Sequence, residues 1–416
     1  MDISNTPTPA KQPRISAFAR VSCCITLLLC SGALPVLTHY INLIDPQTGA
    51  GVNVPTAIAM CALLLCATFF LVFCRKPVFL TCAIIGGIVI SLLSPWFGIL
   101  FVLLLCATVA GATQLSDAKI TGHIIFAAMA AAAYLVAFFV TRDALLSLYA
   151  LIPALGALAL SICHKRKYSI IVSIGVLTGT LTAALVLLIG IDLLVAGMPF
   201  SIQGITDAVK SFHAAVSAMF AQTLQTMTES EEWSAQVAQV LGGEIAPEKI
   251  VEFSNSIATA TLGLLPGTTV LLFWIFSFIA HRGYTAMLVK GMPKEEYPKH
   301  LTEYAPSVPT AVLMILCYVL LIIGSLFTKA EVLLFIAINL LMIVMPILTV
   351  SGILGIVAGF QRATTKWPLI LTYVVAVMLL GFGIIPMLAF YGAFGVIATA
   401  IARILEQKMN SSEGGQ

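Results

Sequence analysis

Charge is scarce in this chain. Only 9% of its 416 residues are Asp, Glu, Lys or Arg, while 60% are hydrophobic. Soluble domains carry about 25% charged residues, and a chain this poor in charge would leave large apolar areas facing water. The net charge of +3 excludes a nucleic-acid footprint. Ten cysteines are present (Cys23, Cys24, Cys30, Cys61, Cys66, Cys74, Cys82, Cys106, Cys163 and Cys317), yet no two form a Cys-x-x-Cys pair. All lie in or at the ends of apolar runs, so they read as small apolar filler and no metal or cofactor is expected. No Gly-x-x-x-x-Gly-Lys pattern occurs, so no energy source is encoded. His-Glu-x-x-His is absent, paired aspartates within the apolar runs are absent, and Ser351-Gly352 has no positioned histidine partner. The chain is therefore expected not to be an enzyme.

What remains is a series of long apolar runs. A crossing needs roughly 20 apolar residues for about 30 Å of hydrocarbon. Twelve runs qualify or nearly do, at about 20–40, 56–74, 78–94, 96–113, 122–140, 144–163, 170–191, 257–280, 309–327, 333–360, 368–386 and 387–403. None has a charged side chain at its centre. The stretch from Pro77 to Thr113 is too long for one crossing and is divided at Ser94-Pro95-Trp96, and that from Pro368 to Leu405 is divided near Pro386. The fold class is thus all-α, a polytopic integral membrane bundle of about 12 transmembrane helices with a small extracytoplasmic helical insertion. With an inner amino terminus, 17 of the Lys and Arg residues are cytoplasmic and only Arg142, Lys210, Lys249 and Lys329 are outside, which is the positive-inside bias. Both termini are then cytoplasmic, in a bacterial inner membrane. Arg14 and Arg20 before an apolar run and Ser31-Gly32-Ala33 resemble a cleavable signal peptide, but Pro35 and the continuing apolar run favour an uncleaved anchor.

The chain divides into a disordered cytoplasmic tail (1–19), the first six to seven crossings (20–192), an acidic cap (193–256), the remaining crossings with a cytoplasmic loop at 281–308 (257–405), and a cytoplasmic tail (406–416). The basic knot His164-Lys165-Arg166-Lys167 anchors the cytoplasmic side and can also touch anionic lipid. Within the cap, Ile202, Ile205, Val209, Phe212, Val216, Phe220, Leu224 and Met227 recur at helical steps and predict one apolar face. Thr228-x-x-Glu231 predicts a capping box for a second helix carrying Trp233, Val237 and Leu241. Gly242-Gly243 ends that helix, and Pro247 with Glu248 suits the first turn of a third. Seven acidic residues against Lys210 and Lys249 make the segment acidic, without the basic face of an interfacial helix.

Candidate ligand-binding residues are few. A charge in the hydrocarbon costs about 2.5–3.5 kcal/mol on insertion scales, so it tends to mark ion or proton paths. Asp192, His123 and His39 come nearest, all at span ends, and each is either functional or an ordinary interfacial residue. Pro153, Pro266 and Pro346 fall within spans and deprive the carbonyls of Tyr149, Leu262 and Met342 of their usual donors. Leu264-Leu265-Pro266-Gly267 is the expected broken helix, lining a ligand or kinking for packing. Asn339 is the one amide near mid-membrane, either interhelical glue or a ligand contact. Gly175-x-x-x-Gly179 and Gly355-x-x-x-Gly359, with Gly352, predict close helix approach. The candidate set is Asp192, Pro266, Gly267 and Asn339.

From about residue 257 the order of short motifs is Leu265-Pro266-Gly267, Tyr304-Ala305-Pro306-Ser307-Val308-Pro309, Asn339-Leu340-Leu341, Ser351-Gly352 and Tyr391-Gly392-Ala393-Phe394-Gly395. This order resembles the YybS-like bacterial membrane family, a domain of unknown function likened to the S components of energy-coupling-factor transporters. The resemblance implies a membrane-embedded small-molecule binder working with a separate ATPase module. S components have about six crossings, half the number expected here, and no Ala-x-x-x-Ala coupling site is evident. The expected function is binding or transport of an apolar or weakly polar small molecule. The alternative is a non-transporting scaffold that recruits envelope proteins through the cap and the inner loop.

Overall fold

The computed structural model describes residues 17–44, 51–61, 95–116, 120–198, 201–229, 231–243, 245–288, 304, 306–326, 331–362 and 383–413. Every regular element among these residues is helical. Besides a helical segment at 53–61, they are α1 (Ala17–Asn42), α2 (Pro95–Ser116), α3 (Ile120–Thr141), α4 (Ala144–Ser147), a 3-10 turn (Leu148–Leu151), α5 (Ile152–Lys165), α6 (Ile170–Val195), α7 (Ile202–Thr228), α8 (Glu231–Val240), α9 (Pro247–Leu288), α10 (Val308–Leu326), α11 (Glu331–Arg362) and α12 (Ile384–Glu413).

Among the described residues, nine helical stretches are long and apolar enough to cross a membrane. They coincide with nine of the twelve predicted crossings. The runs at 56–74, 78–94 and 368–386 lie largely or wholly outside the described residues. The membrane reading has a second support in side-chain exposure. Ile124, Phe139, Val186, Leu187 and Ile322 lie on crossings and are each at least 60% exposed. Such apolar helix surfaces would be untenable in water and are ordinary against lipid. The protein is a multispanning membrane protein.

The chain forms two compact units. One comprises Met1–Leu188 with Leu272–Tyr304, the other Ile189–Leu271 with Ala305–Gln416. In the first, α1 packs on α2 and α3, and α2 packs on α5. The core is built from Cys23, Leu27, Leu103, Cys106, Phe276 and neighbours. A methyl group added at Gly111 would come within 2.8 Å of the Ala157 Cβ, and one at Gly156 within 3.1 Å of the Thr108 Cγ2. Glycine at both places lets α2 and α5 approach closely. Among the described residues no cysteine, including Cys23 and Cys163, is in a disulfide.

The prolines are handled locally. Pro153 stands in the first turn of α5, and the Tyr149 carbonyl predicted to lack a donor accepts from the Ile152 N–H instead. The tighter 3-10 turn makes that substitution possible. Pro95 opens α2, at the predicted division of the long apolar run.

In the second unit, α11 packs on α10 and α12, and α10 on α12. Ser201 caps α7, its hydroxyl accepting from the Gly204 N–H at 3.1 Å. The predicted capping box at Thr228 does not form. Its hydroxyl donates back to the Gln225 carbonyl at 2.6 Å, and α8 starts three residues later. Gly242 and Gly243 end α8 with φ of 81° and 99°, as predicted. The Gly243 N–H donates to the Ala238 carbonyl at 2.7 Å, which is the glycine-dependent termination of a helix. Pro247 opens the third helix, but that helix does not stop before the next crossing. It runs 42 residues to Leu288, about 63 Å at 1.5 Å per residue, or roughly twice the hydrocarbon thickness. Val237, Leu241 and Ile250 form a small core where α7, α8 and the start of α9 meet.

The small-residue motifs divide sharply. Among the described residues nothing lies within 4 Å of a methyl group built on Gly175 or Gly179, so that predicted close approach is not seen there. Gly352 is the tight crossing: a methyl group there would strike the Leu388 carbonyl oxygen, and one on Gly392 the Leu348 carbonyl oxygen. Gly352→Ala and Gly392→Ala are each expected to destabilise by about 1–3 kcal/mol through overpacking against rigid backbone. Gly175→Ala is expected to be neutral, or stabilising by up to about 1 kcal/mol, because alanine is the better helix former. Thermal unfolding in mild detergent measures both.

Candidate functional site

Three of the four candidate residues come together in the second unit. Asn339 of α11 stands against the Gly263–Gly267 turn of α9, with Pro266 inside that turn. The Asn339 Oδ1 accepts from the Gly267 N–H at 2.5 Å. Its Nδ2 donates to the Gly263 carbonyl at 2.6 Å and to the Phe335 carbonyl, one turn back in its own helix, at 2.7 Å. One carboxamide thus bridges the donor and acceptor that lie one turn apart around the proline. The rung that Pro266 itself removes ends on the Leu262 carbonyl; Asn339 serves the rung beside it, between the Gly263 carbonyl and the Gly267 N–H, and so satisfies backbone next to the proline at membrane depth.

The expected break at Leu264–Gly267 is therefore corrected. α9 stays helical through Pro266, with the Asn339 carboxamide of the crossing helix bonded to the rung beside the proline. Glycine is required on the contact face. A methyl group on Gly263 would fall 2.6 Å from the Phe335 ring, and one on Gly267 2.9 Å from the Asn339 Cα. Gly263-x-x-x-Gly267 is thus a close-packing motif that sequence reasoning passed over, although its spacing was visible. Thr268 extends the contact, its hydroxyl lying 3.7 Å from the Met342 sulfur.

Pro266 is exposed and Gly267 buried. Asp192 stands apart. Its side chain is exposed near the end of α6, and no hydrogen bond joins it to Asn339 or Gly267. His123 is exposed in the first turn of α3, with its Nε2 3.4 Å from the Lys165 Nζ. His39 is half-buried, edge-on to Tyr40. No group of three metal-ligating side chains occurs among the described residues.

The first unit holds a different polar feature, one without an evident sequence signature. Thr108 and Gln114 of α2, Ser161 of α5, Thr178 and Thr182 of α6, and Ser277 and His281 of α9 form an uncharged polar series in one apolar unit. Some of these groups are satisfied. The Thr178 hydroxyl donates to the Ser277 Oγ at 3.1 Å, and the Ser161 hydroxyl to the Leu115 carbonyl at 3.5 Å. Others are not. Thr108 Oγ1, Gln114 Oε1, Thr182 Oγ1 and His281 Nδ1 are buried atoms without a hydrogen-bond partner among the described residues, as is Ser31 Oγ on α1. The Thr108 methyl approaches Gly156, as do Leu177 and Leu181, so α2, α5 and α6 meet there. Each unmet group costs about 1–3 kcal/mol, a cost that a ligand's hydroxyl or carbonyl would relieve.

Comparison with protein families, with curated proteins and with solved structures finds no match to this chain.

Two predictions concern these residues. Asn339→Leu strands the Gly267 N–H and the Gly263 carbonyl and is expected to cost about 1–3 kcal/mol, whereas Asp192→Asn should leave stability within about 0.5 kcal/mol. Thermal unfolding separates them. Tyr304, outside the spans, is buried, and burial pushes its phenol above the ordinary value. The folded state then holds that proton more tightly than the unfolded state. Its contribution is complete below the ordinary phenol pKa of about 10 and is lost as pH rises beyond it. Tyr304→Phe should flatten the alkaline limb of a stability-versus-pH curve.

Proposed function

We propose that this protein binds an apolar or weakly polar small molecule in the membrane, for transport or for handing to a partner. The observation that supports this is the uncharged polar series of the first unit, where Thr108, Gln114 and Thr182 are buried with unmet hydrogen-bonding atoms. Dipoles and apolar surface, with no fixed charge, suit a ligand of a few hydroxyl or carbonyl groups. The Pro266–Asn339 crossing then serves as a helix joint rather than a ligand contact, since its amide is spent on backbone. The wider setting belongs to the same proposal: twelve crossings, both termini cytoplasmic, a bacterial inner membrane, and kinship with the YybS-like family. A separate ATPase module would supply energy.

A second reading is favoured by one feature. The first turns of α9 border an open groove lined by Pro247, Glu248, Val251, Glu252 and Asn255, which gives a scaffold a surface for an envelope partner. Removing residues 200–255 would abolish function under that reading, while changes at Asn339, Pro266 and Asp192 would not.

Native mass spectrometry from mild detergent tests the binder directly. The wild-type chain should retain a small molecule, and Thr108→Val with Gln114→Leu should release it without lowering the melting temperature. Unchanged retention combined with lower stability would make the polar series structural and defeat the proposal.

A further inference from the structure

The apolar face of α7 points into a core only at its C-terminal end. Val237, Leu241 and Ile250 gather Ala221, Leu224 and Met227 from the last two turns of α7, but the beginning of the stripe is bare. Ile202, Ile205, Val209 and Phe212 are 87%, 46%, 48% and 48% exposed. These four follow steps of three and four along some 15 Å of one helix edge.

Two contacts place α7 alongside α9, through the side of the helix next to that edge. The Ser217 hydroxyl donates to the Asn255 Oδ1 at 2.7 Å, and the His213 Nε2 lies 3.1 Å from the Thr259 Oγ1. Going back four residues on α7 means going forward four on α9, so the helices are antiparallel. The same register brings Val209 level with Gly263, Ile205 level with Gly267 and Ile202 level with Val270. α9 has no Asp, Glu, Lys or Arg between Glu252 and Arg282. Counting about 20 residues back from Arg282 for the hydrocarbon puts its other edge near Leu262. Ile202, Ile205 and Val209 therefore stand at the depth of the first membrane-embedded turns of α9, and Phe212, within one turn of that edge, leans toward the helix N-terminus and so into the acyl region. Asp207 and Lys210 are exposed on other sides of α7, near the same edge, where headgroups and water reach them.

We propose that the first three turns of α7 are seated in the lipid of the nearer leaflet, with acyl chains covering Ile202, Ile205, Val209 and Phe212. The segment between α6 and α9 is then a helical stalk with a lipid-embedded foot, rather than a cap held wholly in water. The sequence argued against an interfacial helix because the segment lacks a basic face. The register replaces that requirement: α7 is held upright against a spanning helix and enters the bilayer through its apolar end.

The test uses the full chain in phosphatidylcholine nanodiscs holding one copy each. Two readouts are combined: hydroxyl-radical footprinting, and crosslinking to a phospholipid bearing a diazirine high on its acyl chain. Phe212 should oxidise at least fivefold more slowly than Trp233 of α8, which is 45% exposed, after correction for intrinsic reactivity. The peptide carrying residues 202–212 should acquire the lipid crosslink. Oxidation of Phe212 within twofold of Trp233 would overturn the proposal. So would protection without any lipid crosslink, which would mean that protein covers the stripe. Protection seen only when two copies share a disc would assign the face to a second chain and overturn it equally. Ile205→Asp and Gln203→Asp provide a matched pair: only the first should weaken the crosslink, and circular dichroism confirms that both fold.

Discussion

In hydrocarbon there is no water to satisfy a free amide, so every N–H and C=O must find its partner within the protein. Nearly every feature of this chain answers that demand. The described elements are all helical, and two prolines that interrupt the ladder are accommodated in different ways. At Pro153 the chain tightens into a 3-10 turn and recovers the Tyr149 carbonyl through Ile152. At Pro266 the chain keeps its helical path and borrows a carboxamide from α11. The second solution requires a neighbour at touching distance, which explains the glycines at 263 and 267.

The same demand gives meaning to the polar groups that are not satisfied. A threonine on a membrane helix ordinarily spends its hydroxyl on the carbonyl one turn back, as Thr113 and Thr141 do here. Thr108 and Thr182 do not, and Gln114 leaves its carbonyl oxygen unused in the same unit. In a core otherwise packed with leucine, alanine and cysteine, these groups retain hydrogen-bonding capacity in a medium of low dielectric constant, where it counts most. The Asn339 amide, half-buried in the other unit, is bonded through both its oxygen and its nitrogen.

Much of the architecture could be read in advance because a bilayer imposes a length and a composition on each crossing. Nine predicted crossings reappear as helices, the long apolar run divides at Pro95, and Gly242-Gly243 and Pro247 punctuate the extramembrane segment as expected. The errors share one cause. The Thr228 capping box, the Gly175-x-x-x-Gly179 contact and the break at Pro266 each depend on what stands beside the motif. Thr228 turned to its own helix, Gly175 met nothing, and Pro266 met Asn339. Of the candidate residues, Pro266 and Gly267 belong to one sequence motif and Asn339 to another, yet the three are parts of one crossing, while Asp192 is not.

Spacing and polarity along the chain thus determined that the molecule is a helical membrane protein, where its helices begin, and which residues interrupt them, since these follow from the energetics of each segment against lipid. Which glycine meets a backbone, which amide mends which helix and which hydroxyl is left without a partner were decided only by tertiary packing. A side chain's neighbour depends on the rotation and register of two helices far apart in sequence. No local period encodes that relation.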